Sequence, residues 1–130
     1  MAGLADVVFD CNHPAPLARF WAAALDDHAV APYDEAESDR WRGLGLLDPE
    51  DDPSVLVEGP PGHPSLWFQR VPETKVVKNR VHIDLRCPDL ESEVGRLVGL
   101  GAVVMPDQPN PDLVVMQDPQ GNEFCVFREV

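Results

Sequence analysis

A chain of 130 residues with 44% hydrophobic and 25% charged residues has the size and composition of one globular domain with a real core. Its 23 acidic against 10 basic residues leave a net charge of −13, which repels phosphate backbones and anionic lipid and argues against nucleic acid or membrane as a partner. Three cysteines, an odd number with no Cys-x-x-Cys pair, no signal-peptide pattern and no run of transmembrane length predict a reduced, cytoplasmic protein.

Asp6–Cys11 alternates and predicts the first strand, with Val7, Phe9 and Cys11 on one face and Val8 and Asp10 on the other. Asn12-His13-Pro14 is a helix start with proline in the first turn, and Leu17, Phe20, Trp21, Ala24 and Leu25 lie on one stripe of the helix that follows. His28–Tyr33 predicts a short strand and Asp34–Arg40 a charged surface loop. Trp41–Leu47 predicts a further strand, weakened by its glycines. Asp48–Pro53 is an acidic turn that lacks the ligand spacing of a calcium loop, so its carboxylates are expected in solvent. Val55–Glu58 and Leu66–Val71 predict two strands around the turn Gly59-Pro60-Pro61-Gly62, and Pro72-Glu73-Thr74-Lys75 links to a second half.

That half opens on Asn79–Cys87, which alternates as a strand with Val81, Ile83 and Leu85 on one face and His82, Asp84 and Arg86 on the other. Asp89 caps a second helix whose apolar stripe is Leu90, Val94, Leu97 and Val98, with Gly101 at its C-terminus. Ala102–Met105, Leu113–Gln117 and Glu123–Arg128 predict three more strands, the last two around the turn Asp118–Asn122.

The halves superpose as patterns. Val81–Pro88 lies on Val7–Pro14 at an offset of 74 residues and Gly121 on Gly62 at an offset of 59, so the first half carries an insertion of 15 residues between Tyr33 and Pro53. The expected fold class is α+β: two βαβββ modules, about residues 5–72 and 78–130, forming paired curved sheets with the helices outside. Val7, Phe9, Phe20, Trp21, Val81, Ile83, Leu85, Val94 and Leu97 are expected between sheet and helix.

Two βαβββ units with an Asp118-Pro119-Gln120-Gly121-Asn122 turn before the last strand resemble the vicinal oxygen chelate superfamily of glyoxalase I, bleomycin-resistance proteins, fosfomycin thiol transferases and extradiol dioxygenases. Lys78–Leu85, Phe68–Glu73 and Asp118–Cys125 together resemble its actinobacterial glyoxalase-like domains. The resemblance covers nearly the whole chain as a single domain, 1–130. It implies a homodimer and, in the metal enzymes, His, Gln or Glu ligands from the first and last strands of each half. The matching positions here are Val8, Leu66, His82 and Cys125. Two of these cannot ligate and Cys125 stands where a glutamate is expected, so no metal and no other cofactor is expected. A slip of two residues would bring Asp10 into reach.

The residues leave three readings of His82: a pocket histidine that hydrogen-bonds a ligand, a general base near neutral pH, or a structural histidine held by Asp84 or Arg86. Cys125 is read as a core thiol. The functional expectation is a small-molecule-binding protein of the sequestering or resistance type, with a largely apolar, metal-free cleft built from Val8, Asp10, Trp41, Leu66, Phe68, His82 and Cys125. The alternative is a lyase, isomerase or dioxygenase of the superfamily in which His82 is catalytic.

Overall fold

The computed structural model describes residues 1–46 and 48–129. The chain divides into two compact units, Met1–Thr74 and Lys75–Val130. Each holds a four-stranded mixed sheet with a helix across one face, and neither sheet closes on itself.

In the first unit β1 (Asp6–Cys11) leads into α1 (Pro14–Ala24), followed by β2 (Ala29–Val30), α2 (Glu35–Gly43), a 3-10 turn at Pro49–Asp51, β3 (Ser54–Glu58) and β4 (Ser65–Arg70). The sheet order is β1-β4-β3-β2, with β1 parallel to β4 and the other pairs antiparallel. Helix α1 starts on Pro14, which needs no N–H partner there, and buries Leu17, Ala18, Phe20, Trp21 and Ala24. Beneath it the Phe9 ring stacks on Phe68 at 5.0 Å and meets Trp21 at 5.7 Å. Period-2 alternation places Leu66 and Phe68, 6% and 0% exposed, on this helix face, and Ser65, Trp67 and Gln69 on the open face.

The second unit repeats the plan with β5 (Asp84–Cys87), α3 (Leu90–Leu100), β6 (Val103–Val104), β7 (Leu113–Gln117) and β8 (Glu123–Arg128) in the order β5-β8-β7-β6. Asp89 caps α3 by accepting from the Ser92 N–H, and Gly101 ends it in the left-handed conformation at φ 119. Only Leu90 and Leu97 of α3 are buried; Val94 is half-buried and Val98 exposed, so this helix packs less deeply than α1.

The repeat has a different register from the one the sequence suggests. Cys11 is the last β1 residue paired to β4, its carbonyl accepts from the Val71 N–H, and its thiol reaches the Gln69 carbonyl at 3.6 Å. Cys87 does the same in β5 with Glu129 and Phe127, the latter also at 3.6 Å. Cys87 therefore stands for Cys11, and the caps Asp89 and His13 match at the same offset of 76, whereas the offset of 74 holds only at β2 and β6. The Pro14–Pro88 match misleads, because Pro14 is inside its helix and Pro88 precedes its cap. The β4 and β8 strands match at 58, since Arg70 stands for Arg128. The 15-residue insertion is where expected: residues 31–53 join β2 to β3 and only 105–112 join β6 to β7.

Within the insertion the expected loop and strand are a helix, and Leu47 lies outside the described residues. Asp34 accepts from the Glu37 N–H, acidic residues fill the first turn of α2 and Arg40 and Arg42 the last. No α2 residue is fully buried; the helix is held through Asp52. That carboxylate is 0% exposed, not solvated, and accepts from Arg40 at 2.8 Å, from Tyr33 and from the Trp41 indole at 3.1 Å each, and from the Ser54 N–H at 3.0 Å. Burial pushes its pKa up, but the Ser54, Trp41 and Arg40 contacts outweigh that and hold it below the usual carboxylate value. Burial and the Asp52 charge push the Tyr33 hydroxyl up to about 12.

The strand expected over Asn79–Cys87 is regular only from Asp84. Val81 is 78% exposed and not in the core, while Ile83 and Leu85 are half-buried on the expected side. Residues 75–79 are drawn instead to the β7–β8 turn. Glu123 accepts from the Asn79 N–H at 2.9 Å and from Lys75 Nζ at 3.0 Å, and Asn79 Nδ2 donates to Asn122 Oδ1 at 3.2 Å. Asn122 is in turn fixed by the buried Asp118, and Gly121 makes the turn at φ 88, as Gly62 does in the first unit.

Candidate functional site

The side chains with chemistry lie on the open face of the second sheet. The β5–β8 register sets Asp84 opposite Cys125, and the Cys125 N–H donates to the Ile83 carbonyl at 3.1 Å, so the ladder runs one residue before β5. His82 precedes that point. Freed from strict strand geometry, its ring leans over Asp84, with Nε2 3.4 Å from Oδ1. Along a regular strand these side chains would stand about 6.6–7 Å apart. One donor atom each of His82, Asp84 and Cys125 lies within 4.8 Å of the others.

Cys125 is not a core thiol. Phe124 and Val126 take the helix face, which leaves Cys125 half-buried on the open face. Burial pushes its pKa up, the Asp84 charge adds to this, and Lys78 opposes it. Alone, the thiol is protonated at neutral pH. The His82–Asp84 contact is 43% and 53% exposed, and exposed pairs are worth about 0–1 kcal/mol, so it holds a geometry without supporting the fold.

The other sequence candidates divide between faces. Val8 and Asp10 are on the open face of the first sheet, where Gln69 Nε2 donates to Asp10 Oδ1 at 3.3 Å. Leu66 and Phe68 are under α1 and line no open surface. Trp41 is committed to Asp52 and to the Tyr33 ring 4.7 Å away. Trp67, which alternates with Leu66, is on the open face instead, beside a crevice lined with Tyr33 and Leu56. At about 30 Å³ that crevice has room for a water or two.

The corrected register changes the four matched positions. His82 and Cys125 keep their places, but their counterparts are Asp6 and Trp67, not Val8 and Leu66. The slip is indeed two residues, but toward Asp6 and away from Asp10. Of the two partners the sequence offers a structural His82, Asp84 and Arg86, it is Asp84 that the ring meets. The His, Gln and Glu set that the resemblance implies does not fit these residues: in the second unit it leaves one imidazole and one carboxylate, with a thiol where the glutamate would be.

Glu123 positions the segment that carries His82. Burial pushes its carboxyl up, yet the Asn79 N–H and the Lys75 ammonium hold it below its usual value. Glu123→Ala is expected to cost about 1–3 kcal/mol by stranding partly buried donors. Amide exchange should quicken at residues 75–83 while β7 stays protected. Unchanged exchange there would show that the segment is held by something else.

Two βαβββ modules, each a four-stranded mixed sheet with a helix across one face, define the class of fold. The chain matches the sequence profile of the Glyoxalase-like domain over residues 6–127, and it belongs to that family, within the vicinal oxygen chelate superfamily. It is similar in structure to a glyoxalase/bleomycin resistance protein/dioxygenase family enzyme from Burkholderia phytofirmans, at a TM-score of 0.66 and 12% identity, covering 99% of this chain and 100% of that one. It is also similar to the fosfomycin resistance protein FosX from Mesorhizobium loti, at 0.64 and 12%, covering 100% and 94%. A third is a FosX mutant from Listeria monocytogenes in complex with Mn(II) and 1S,2S-dihydroxypropylphosphonic acid, at 0.63 and 8%, covering 98% and 90%. At these identities the likeness is one of fold. No curated protein sequence matches the chain.

Proposed function

We propose that the protein binds a small organic molecule on the open face of its second sheet, as a sequestering or resistance protein. The observation that carries this is the convergence of His82, Asp84 and Cys125, three side chains of different chemistry, on an exposed sheet face where none of them is needed for packing. Two of the structural relatives are fosfomycin resistance proteins, which supports the same reading. The His82–Asp84 contact favours one alternative: a carboxylate beside the ring orients it, the arrangement a general base uses, so the bound molecule could lose a proton to His82 in an isomerase- or lyase-type reaction.

The test is a melting-curve and ligand-observed NMR screen of small aromatic and amphipathic compounds, phosphonates included, against the native protein and His82→Ala. A ligand at 100 times its dissociation constant raises stability by about 2.7 kcal/mol, a shift of several degrees. Binders lost in His82→Ala support the reading; binders indifferent to His82, or none, sink it. We further propose a cytoplasmic homodimer, on the three free cysteines and on the edge strands β1, β2, β5 and β6, which pairing between chains would protect. Sedimentation as a monomer at micromolar concentration would remove the dimer.

A further inference from the structure

The internal repeat shows a place that one half fills and the other leaves open. In the first unit the inserted chain returns to α1. The 3-10 turn at Pro49–Asp51 packs against that helix, Glu50 pairs with Arg19 at 2.7 Å, and the Asp51 carbonyl accepts from Arg70 Nη2 at 3.1 Å. Pro14, Ala15 and Ala18 of the helix and Val55 of β3 are all buried. At the helix offset of 76, Leu90 stands for Pro14, Glu91 for Ala15 and Val94 for Ala18. Val114 stands for Val55, since it pairs with Val126 as Val55 pairs with Phe68, and Arg128 stands for Arg70. Residues 105–112 take the place of the insertion and hold no counterpart of the 3-10 turn. Leu90 stays buried, but Val94 and Val114 are half-buried, and Glu91 and Arg128 are exposed. These five and Pro111 line an open groove of about 300 Å³ between α3 and the sheet.

The lining selects the ligand. The floor is apolar, from Leu90, Val94, Val114 and Pro111, and the rim carries one charge of each sign, Arg128 and Glu91. Among the described residues neither of the two makes an ion pair. Arg70 shows what an arginine at this place does when the site is filled: it donates to an oxygen. A carboxylate accepts from a guanidinium more strongly than a carbonyl does, through two parallel bonds. A simple anion would be opposed by Glu91 and by the net charge of −13. A zwitterion escapes that repulsion, and its ammonium answers Glu91. The volume is at the small end of ligand pockets, which suits a single amino acid and not a nucleotide. We infer that this groove binds a free α-amino acid with an apolar side chain, its carboxylate on Arg128, its ammonium toward Glu91 and its side chain against Val94 and Val114. The groove is on the helix face of the second sheet and Cys125 on the open face, so this site and the one proposed above can each fail alone.

Isotope-labelled protein titrated with L-leucine or L-phenylalanine should show saturable NMR shifts at Leu90, Val94, Val114 and Arg128, and none at Asp84 and Cys125. Arg128→Gln should weaken binding about tenfold or more, and replacing leucine by leucinamide should do the same, because each removes a charge-assisted pair. Glu91→Gln should weaken leucine but not isocaproate, which lacks the ammonium. Both substitutions are at exposed positions, and circular dichroism checks that the variants are folded. No shifts at tens of millimolar amino acid, shifts confined to the open face, or binding indifferent to Arg128→Gln would each overturn the site. Leucinamide bound as tightly as leucine, or isocaproate bound more tightly, would overturn it as well. Saturable shifts around Val94 in a protein whose screen yields no His82-dependent binder would keep this site and remove the other.

Discussion

Phe68→Ala is expected to destabilise the protein by about 3–5 kcal/mol, the cost of deleting a large buried ring from a core that cannot fully collapse. Phe68 is 0% exposed, its ring stacks 5.0 Å from Phe9, and Trp21 closes the cluster from α1. The loss combines the transfer free energy of the ring with the contacts that Phe9 forfeits to the cavity. Against a total stability of about 5–15 kcal/mol for a domain of this kind, it brings the protein close to unfolding at ambient temperature. Urea denaturation followed by circular dichroism measures it. The neighbouring Trp67→Ala removes a larger ring from the half-buried open face and should cost clearly less. Equal losses would mean that the alternation of β4 is misassigned.

Asp52→Ala is the second large effect, expected at about 2–4 kcal/mol. It strands the Ser54 N–H, the Tyr33 hydroxyl and the Trp41 indole, and it removes the carboxylate that pairs Arg40. Arg40 is 34% exposed and turns to water, which keeps the loss below that of a fully buried pair. The carboxyl is held below its unfolded value near ~3.9, so its stabilisation is complete above that pH and is lost as the pH falls through the lower folded value. Acid should therefore loosen α2 below about pH 4. Trp41 fluorescence would report this before far-ultraviolet dichroism reports loss of the sheets, and Asp52→Asn should already show the loosened signal at neutral pH. A single transition, unchanged by Asp52→Asn, would refute the latch.

Elements with a strong period were legible. Strands β7 and β8 run over the residues the alternation marks, and α1 buries the face its stripe announces, whereas α3 buries only Leu90 and Leu97 of its own. Helix α2 was missed because Glu35–Gly43 has no apolar stripe; its signal was instead Asp34 three residues before Glu37, a capping pattern that hydrophobicity does not register. Asp52 was read as solvated because it sits among exposed acids, and its burial depends on Arg40 and Trp41, which the helix brings back to it. Around His82 the sequence named both Asp84 and Cys125, but not the geometry that brings them together. Cys125 changed faces because a turn one residue shorter in the second half shifts β8 relative to the naive repeat. Asp84 entered because the chain leaves strand geometry just before it, where Glu123 and Asn122 pull the segment aside.

Each sheet draws all four strands from its own half, pairing its first strand with its last, β1 on β4 and β5 on β8. During synthesis the first half can complete its sheet as soon as β4 leaves the ribosome, with the second still unmade. The strands it must join are far apart in the chain: Asp10 and Gln69 are separated by 59 residues, against 40 between Cys87 and Phe127. Such distant parallel pairing forms late, after the local helix and hairpin. Until β4 is out, β1 and the apolar face of α1 stand uncovered on the nascent chain. The ribosome-bound intermediate ending between Pro53 and Pro64 is thus the species that would need a chaperone most.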